Sequence, residues 1–272
     1  MTIFDLKKSN TLKIETIHRG LKTSRIGRRI TLLDTAASTN DIAWSHAKNP
    51  DSNGLCVAAE HQTAGRGRRG RQWHSPPGQS ILCSILIEDF SPALLTLAAP
   101  LAVVDAMFSC CRLHTVIKWP NDILIDEKKI AGILIESRTL GRRTMSVVGI
   151  GINVCQSKTF FANLPLEAPA VSLAIKLKRK PSRNKLLRTL LERLEYWTDT
   201  AAENPEKLLN HWKRHNRQIG KRIRLESDGK IYAGTCLGID PVAGLIVQLE
   251  HGPRRIFSAA HTTVLKNTQD NA

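Results

Sequence analysis

A loop rich in glycine and arginine is the stretch of this sequence best equipped for chemistry. Gly65-Arg66-Gly67-Arg68-Arg69-Gly70-Arg71 places three glycines and four arginines within seven residues. Glycine lets a backbone approach a ligand closely, and arginine supplies planar, permanently charged donors that suit carboxylates and phosphates. Because like charges repel one another in the free protein, we expect a mobile loop that folds down over a polyanionic ligand as a lid.

Other interpretations of this loop are weaker. It matches the dinucleotide-binding pattern G-x-G-x-x-G, but that fingerprint requires a helix to begin at the third glycine. Pro76-Pro77 stand where the helix should begin, so we reject a Rossmann site. A solvated surface loop and an RGG-like contact with nucleic acid stay open. RGG segments normally lie in disordered tails, whereas this loop lies between two predicted strands.

A second set of polar residues surrounds a predicted hairpin. Lys118-Trp119-Pro120-Asn121-Asp122 ends one strand, and Lys129 follows the turn Asp126-Glu127-Lys128. Antiparallel pairing of the flanking strands should bring Asp122 and Lys129 together at one edge of the sheet. Singly, Asp122 is typical of a turn-stabilising carboxylate and Lys129 of a solvated hairpin lysine. Gly149-Ile150-Gly151-Ile152-Asn153 closes the last strand of this set, and its glycines indicate close approach of a backbone or a ligand.

Short strands and amphipathic helices must position these residues. Apolar runs and alternation predict strands over residues 29–34, 55–61, 80–87, 115–119, 123–125, 132–137 and 144–152, with 80–87 covered on both faces. Periodicity and capping residues predict helices over 14–22, over 39–47 with Ser38 or Thr39 as the cap, over 91–111, from 182 onward, and over 204–216. Pro100 falls inside the third helix, where we expect a kink or a broken start.

The predicted secondary structure changes after Gly220. Short strands over residues 221–226, 230–239, 245–250 and 254–258 are separated by turns and contain no helix between them, which is typical of a small β-barrel or sandwich. We therefore place a domain boundary near residue 219. A main domain would cover residues 1–219, including a short extension over 1–25, and a small β domain would cover 220–272.

Composition indicates a globular protein that attracts anions. The chain has 272 residues, 42% of them hydrophobic and 24% charged, and carries a formal net charge of +16. This balance excludes disorder as the dominant state, while the basic excess alone does not choose among nucleic acid, nucleotide, carboxylate and acidic protein. No run approaches the ~18 consecutive apolar residues of a membrane span, and no secretory signal begins the chain, so we expect a cytoplasmic protein.

Cysteine usage agrees with a reducing compartment. The six cysteines include no C-x-x-C pair, and no histidine lies at zinc-ligand spacing beside a pair of them. Free and mostly buried thiols are therefore expected.

Together these motifs resemble one family closely, the biotin protein ligases, also called biotin–[acetyl-CoA-carboxylase] ligases. The matching residues are Ser38-Thr39-Asn40, Gln62, the glycine–arginine loop with Trp73, Lys118–Asp122 as a run, Lys129 with Gly132-Ile133-Leu134, and Gly149 to Asn153. They follow the family's order at about its spacing, and the resemblance covers roughly residue 26 to the C-terminus.

The resemblance implies an α+β fold and a two-step reaction. The fold is a mixed β-sheet with helices, of the class II aminoacyl-tRNA synthetase and biotin ligase type, plus a small C-terminal SH3-like β-barrel. Biotin's carboxylate attacks the α-phosphorus of ATP with Mg²⁺ assisting, giving biotinyl-5′-adenylate. A lysine of a biotin carboxyl-carrier protein domain then attacks this anhydride and releases AMP.

The resemblance also implies roles for individual residues. Biotin would be bound by Ser38, Thr39, Asn40, Gln62, Arg66, Gly67, Arg68 and Lys129, with Arg66, Gly67 and Arg68 covering its acyl phosphate. Lys129, Arg66 and Arg68 would also be catalytic. The adenylate group would be contacted by Arg66, Gly67, Arg68, Arg69, Arg71, Lys118, Asn121 and Asn153. Asp122 would help to hold magnesium or receive the carrier lysine.

Alternative functions remain. A lipoate or octanoate ligase or transferase would share the general fold, but it has no reason to contain both the loop and the Lys-Trp-Pro-Asn-Asp run. A basic nucleic-acid-binding module is disfavoured because few aromatic residues lie near the basic runs. About 25 residues precede the matching region, too few for the helix-turn-helix domain of some family members, so we expect no specific DNA binding.

The oligomeric state stays open, with a homodimer as one alternative. Seven cations between Lys176 and Arg188 are either a solvated loop and helix start or a surface that steers an acidic carrier or ATP.

Overall fold

The computed structural model describes residues 10–265, and its centre is a seven-stranded mixed β-sheet. The strands are β1 (Ile30–Ala36), β2 (Cys56–Gln62), β3 (Ser80–Glu88), β4 (Val116–Lys118), β5 (Asp122–Ile125), β6 (Lys128–Leu140) and β7 (Arg143–Asn153). Their order is β1-β2-β3-β7-β6-β5-β4, and only β1 and β2 run parallel. Residues 1–9 of the predicted extension and residues 266–272 of the predicted β domain lie outside the described residues.

The centre of the sheet is covered on both faces, as expected from its composition. Strand β3 is buried along all of its length except Glu88. Such a strand satisfies its backbone through β2 and β7 and leaves every side chain to the core. The predicted strands of this half are confirmed, with ends that differ by a few residues; β6 is the largest difference, because it continues to Leu140.

Seven helices accompany the sheet within residues 10–265. They are α1 (Ile14–His18), α2 (Thr39–His46), α3 (Pro92–Cys111), α4 (Lys158–Ala162), α5 (Leu173–Leu177), α6 (Arg183–Glu203) and α7 (Pro205–His215). Helices α3, α6 and α7 pack on one another. Ser182 Oγ accepts the Lys185 N–H at the start of α6, and Asn204 Oδ1 accepts the Lys207 N–H at the start of α7. The two short helices α4 and α5 were not predicted.

Helix α3 differs from expectation at Pro100. It runs from Pro92 to Cys111 as one helix, so the broken start is wrong, and the alternative of a kink at Pro100 stays a prediction. The surrounding core holds this helix together, since most of its side chains, Pro100 included, are buried. Its length and hydropathy satisfy the criteria for a membrane span, but 67% of that stretch is buried inside the fold, which is the behaviour of a core helix.

The C-terminal region forms a second, antiparallel sheet of five strands. These are β8 (Arg222–Ser227), β9 (Lys230–Asp240), β10 (Gly244–Leu249), β11 (Arg254–Phe257) and β12 (Thr262–Val264), in the order β11-β10-β9-β8-β12. Four of them were predicted and β12 was missed. One continuous hydrophobic core includes side chains of both sheets. The division into two domains near residue 219 therefore stays a prediction.

Candidate active site

The structure brings all of the predicted site residues around one cavity of about 560 Å³. They are Ser38, Thr39, Asn40, Gln62, Arg66, Gly67, Arg68, Arg69, Arg71, Lys118, Asn121, Asp122, Lys129 and Asn153. Residues from the end of β2, the glycine–arginine loop, the β4–β5 connection, the start of β6 and the end of β7 meet there. The cavity fits the volume of a small-molecule site.

The glycine–arginine loop closes one side of the cavity with a short 3-10 turn, Arg68–Gly70, and no α-helix follows it. Arg69 adopts a left-handed backbone conformation with φ of 56°. The N–H of Gly67 donates to Arg71 O at 2.7 Å, which ties the two sides of the loop together. The rejection of a Rossmann site is confirmed, because that site needs a helix N-terminus at this point.

The loop arginines are each paired with an oxygen acceptor, so the expectation that they mainly repel one another is wrong. Arg66 makes two hydrogen bonds of 2.6 Å to Asp41, Arg69 contacts Glu226 at 2.7 Å, and Arg71 contacts Glu167 at 2.7 Å. The bidentate hydrogen bond lowers the pKa of Asp41 and raises that of Arg66.

Arg68 is the loop cation that lacks a carboxylate partner at hydrogen-bond distance. Its guanidinium donates to Ala259 O and, at 3.4 Å, to Asn121 Oδ1. Burial lowers the pKa of Arg68, and the nearby charge of Asp122 partly offsets this effect. A half-buried cation held by neutral acceptors is well placed to bind an anionic ligand.

Lys129 lines the cavity and lies beside Asp122, as the hairpin predicted. Its Nζ is 2.6 Å from Asp122 Oδ1 and 5.5 Å from the centre of the Trp73 ring. Strands β5 and β6 pair with Asp122 opposite Gly132, which places both side chains at one edge. The Lys129 N–H donates to Pro169 O at 2.8 Å, so the segment after α4 also fixes this lysine.

Glycines of β6 and β7 form a flat floor under Trp73. A Cβ atom on Gly151 would lie 2.6 Å from Trp73 Cε2, and one on Gly132 would lie 3.0 Å from Trp73 Cζ3. The indole therefore rests directly on the sheet backbone, as the glycines indicated.

A network of neutral polar groups occupies the opposite end of the cavity. Gln62 Oε1 accepts hydrogen bonds from the Thr39 N–H at 2.7 Å and its hydroxyl at 2.8 Å. The oxygen of Gln62 is thereby engaged, and its Nε2 is left as a donor. Ser38 lines this end and is buried, but its side chain makes no capping bond to α2. Ser38 is nevertheless the N-cap residue of α2, one of the two predicted candidates, with extended backbone geometry, and Gln62 separately accepts the N–H of Thr39.

Asn40 is held between two neighbouring elements in this network. Its Oδ1 accepts from Ser84 Oγ at 2.6 Å, and its Nδ2 donates to Glu136 Oε2 at 2.8 Å. Glu136 also accepts from Trp44 Nε1 and lies 3.9 Å from Arg66. The carboxylate of Glu136 thus connects the neutral end of the cavity with the glycine–arginine loop.

Several residues of the site were not predicted from the sequence. The segment after α4 contributes Phe161, Leu164, Leu166 and Glu167 to the cavity wall, and β12 contributes Thr263. For the first segment, the sequence signal that could have predicted a place in the cavity wall was the pair Phe160-Phe161 within an otherwise polar connection. Asp41, Glu136 and Glu226 were missed because single carboxylates carry no distinguishing spacing.

The chain is similar to known proteins over most of its length. Residues 32–153 match the Biotin/lipoate A/B protein ligase family. The Bifunctional ligase/repressor BirA of Bacillus spizizenii is 36% identical over 262 residues, which cover 93% of this chain and 80% of that one. The Biotin–[acetyl-CoA-carboxylase] ligase of Mycobacterium tuberculosis is 32% identical over 265 residues, covering 90% and 94% of the two chains.

Solved structures share the fold. The biotin protein ligase from Aquifex aeolicus, solved in complex with biotin and ATP, superimposes with a TM-score of 0.73 at 23% identity. The match covers 88% of this chain and 100% of that one. The mixed α+β architecture is confirmed, and with the sequence relationships above it follows that the chain belongs to the biotin protein ligase family of enzymes.

Proposed function

We propose that this chain activates biotin with ATP as biotinyl-5′-adenylate and transfers the biotin to a lysine of a biotin carboxyl-carrier domain. The observation that carries the proposal is one cavity that combines a neutral polar end with Lys129 and the loop arginines. A neutral cyclic urea suits the first end, and two acidic groups suit the second. The names of the relatives support biotin as the acid and a carboxylase subunit as the acceptor.

The first step joins two groups that repel each other. A carboxylate oxygen of biotin forms a bond to the α-phosphorus of ATP, and the bond from that phosphorus to the bridging oxygen of pyrophosphate breaks. No strong acid or base is needed, so positioning and charge stabilisation can supply the catalysis. Lys129 can contribute to the charge stabilisation, because it lines the cavity and its Nζ already contacts a carboxylate, Asp122 Oδ1, at 2.6 Å.

The loop arginines complete the charge stabilisation. Arg68 is the half-buried cation without a carboxylate partner at hydrogen-bond distance, so it is placed to hold the negative oxygens of the phosphate. Arg66 can join it when its exposed, bidentate pair with Asp41 opens. The loop would then cover the anhydride and exclude water, which would otherwise hydrolyse it.

The second step uses the product of the first. The ε-amine of the carrier lysine attacks the acyl carbon, a C–N bond forms, the bond to the phosphate oxygen breaks, and AMP leaves as the amine loses a proton. Asp122 lies beside Lys129 at the cavity edge, and we propose it as the carboxylate that meets the incoming lysine.

Magnesium is implied by the family, and Mg²⁺ is usually held by one or two carboxylates together with substrate phosphates and water, so no closed protein cage is expected for it. Asp122 is paired with Lys129, and residues 10–265 contain no group of three His, Cys, Asp or Glu side chains arranged to hold a metal. The assignment of Asp122 as a metal ligand stays a prediction without support from the geometry.

The remaining assignments are also proposals. The second sheet would be an SH3-like barrel and the chain would act in the cytoplasm, which agrees with six free cysteines. The lack of specific DNA binding stays a prediction, and the oligomeric state stays open, with a homodimer as one alternative. A lipoate ligase is the second candidate, favoured only by the combined biotin and lipoate scope of the matched family.

One reaction mixture tests the proposal. Protein, biotin, ATP, Mg²⁺ and a carboxylase carrier domain are combined, and the carrier is analysed by intact mass. We expect the gain of one biotin, and a loss of about 10²-fold or more in rate for Lys129→Ala and Arg68→Ala. Lys128→Ala, on the exposed side of the same hairpin, should keep the activity. ATP–pyrophosphate exchange that responds to lipoate and not to biotin would contradict the proposal.

A further inference from the structure

A chain of buried polar side chains ends at Asn153 in the cavity wall. Gln156, which is 1% exposed, donates through Nε2 to Asn153 Oδ1 at 3.1 Å and to Ser80 Oγ at 2.6 Å. The hydroxyl of Ser75 donates to the same Ser80 Oγ at 2.8 Å. Asn153 therefore has its oxygen turned towards the protein and its Nδ2 available to the cavity.

The far end of this chain is anchored by a buried arginine. Arg183 is 0% exposed; its Nε donates to Ser80 O at 2.9 Å, and its Nη1 contacts Glu60 Oε2 at 2.7 Å. Glu60 also accepts the Leu12 N–H at 2.7 Å. The buried ion pair and these backbone bonds keep Ser80 in place, so the partner of Gln156 cannot move easily.

Gln156 is a costly residue for this position. Its Oε1 is buried and has no hydrogen-bond partner among the described residues. A buried acceptor without a partner destabilises a fold, whereas an apolar side chain of the same size would carry no such cost. The donors on Nε2 are the feature that an apolar residue could not supply. The backbone of Gln156 is fixed separately, because its carbonyl accepts from Ser172 Oγ at 2.7 Å.

We propose that Gln156 is a positioning residue that locks the Asn153 amide with its N–H₂ group facing the cavity. The inference rests on the proposed function, in which Asn153 contacts the nucleotide. The amide then acts as a hydrogen-bond donor to the bound nucleotide, and Gln156 acts only through Asn153. Gln156 therefore affects the binding of ATP and not the binding of biotin, since the biotin end of the cavity is built from Thr39, Asn40 and Gln62.

Steady-state ATP–pyrophosphate exchange separates these effects. Gln156→Leu frees the Asn153 amide to rotate, and Gln156→Glu favours the reversed amide, because a carboxylate accepts from Nδ2. We expect the KM for ATP to rise about threefold to tenfold in both variants, with the KM for biotin within twofold of the wild type. Thr198→Val is the control. It also removes a buried polar group, the hydroxyl of Thr198 on α6, and it should leave the KM for ATP and the KM for biotin unchanged.

The outcomes are distinguishable. No biotin-dependent exchange in the wild type would refute the proposed function itself. An active wild type with an unchanged KM for ATP in folded Gln156 variants, or with equal rises in both constants, would refute the positioning role. If Gln156→Leu does not fold, Ser80→Ala carries the test, because it removes the second partner of Nε2 with little change in volume. A rise of at least twofold in the KM for ATP alone supports the role, and an unchanged value refutes it.

Discussion

At the scale of single residues, the candidate site depends on a glycine, whose lack of a side chain lets a neighbouring group approach the backbone. Gly149 lies on β7 directly against the Asn40 amide, and a Cβ on Gly149 would overlap Asn40 Oδ1. Asn40 in turn is held by Ser84 and Glu136. The approach of helix α2 to the sheet at the neutral end of the cavity therefore requires glycine at this position.

Gly149→Ala should weaken the proposed biotin end selectively. The added methyl group displaces the Asn40 amide, so we expect the KM for biotin to rise about tenfold or more, with a loss of stability of about 1–3 kcal/mol from overpacking. Exchange kinetics and thermal unfolding measure the two effects. Gly238→Ala, where a Cβ meets nothing within 4 Å, is the control and should change neither. An unaltered KM for biotin in Gly149→Ala would contradict this account of the site.

Contacting residue pairs could be predicted from the sequence only where the two residues lie close together along the chain. Asp122 and Lys129 are joined by one hairpin, and their predicted proximity is confirmed by the ion pair between them. Arg69 and Glu226 are 157 residues apart, and no spacing rule relates them. The arginine loop was recognised from its composition, but its partners depend on how distant elements fold together.

At the scale of elements, Glu195 is the buried carboxylate of helix α6 that helps to fasten the segment before β1 to that helix. Glu195, 8% exposed, accepts hydrogen bonds from the N–H groups of Ser24, Arg25 and Ile26 at 2.6–2.9 Å. Burial opposes ionisation, but the backbone donors outweigh it, so the pKa of Glu195 is lowered from its ordinary 4.5. This segment follows α1 and leads directly into the sheet.

Glu195→Gln should loosen this attachment. A neutral amide is a weaker acceptor, and its N–H₂ group would face the backbone donors. We therefore expect the free energy of unfolding to fall by about 2 kcal/mol at neutral pH. A lowered pKa in the folded state stabilises the protein above pH 4.5, and that contribution is lost as the pH falls below this value. The difference in unfolding free energy between wild type and variant should therefore shrink in acid. Glu203→Gln, at the exposed end of α6, is the control; a pH-independent difference for Glu195→Gln would contradict the assignment.

Elements with strong local signals were predictable, and those set by tertiary contacts were not. Helices α6 and α7 have side-chain caps and regular apolar stripes, so both were found. The five-residue helices α4 and α5 are too short for periodicity to show. Strand β12 has three residues and exists because it pairs with β8.

At the scale of the whole molecule, the basic excess is spread unevenly, and the run from Lys176 to Arg188 alone places seven cations within thirteen residues. Arg183 is fully buried within this run, so the view of a wholly solvated segment is wrong there. Lys178, Arg179, Lys180 and Lys185 are exposed. The run follows directly on the segment whose Val171 N–H donates to Lys129 O, which places its start beside the cavity.

This basic surface should accelerate the encounter with an acidic carrier domain. Replacing Lys178, Arg179, Lys180 and Lys185 with alanine removes four exposed charges from this run, so we expect carrier biotinylation at low salt to slow about tenfold, with the difference fading at high salt. Adenylate formation, measured by exchange, should be unchanged. The control removes four exposed charges elsewhere, at Lys213, Arg214, Lys230 and Arg254. Because both variants lose the same net charge, equal slowing would show that only total charge matters, and unaltered carrier kinetics at low salt would show that this surface steers nothing.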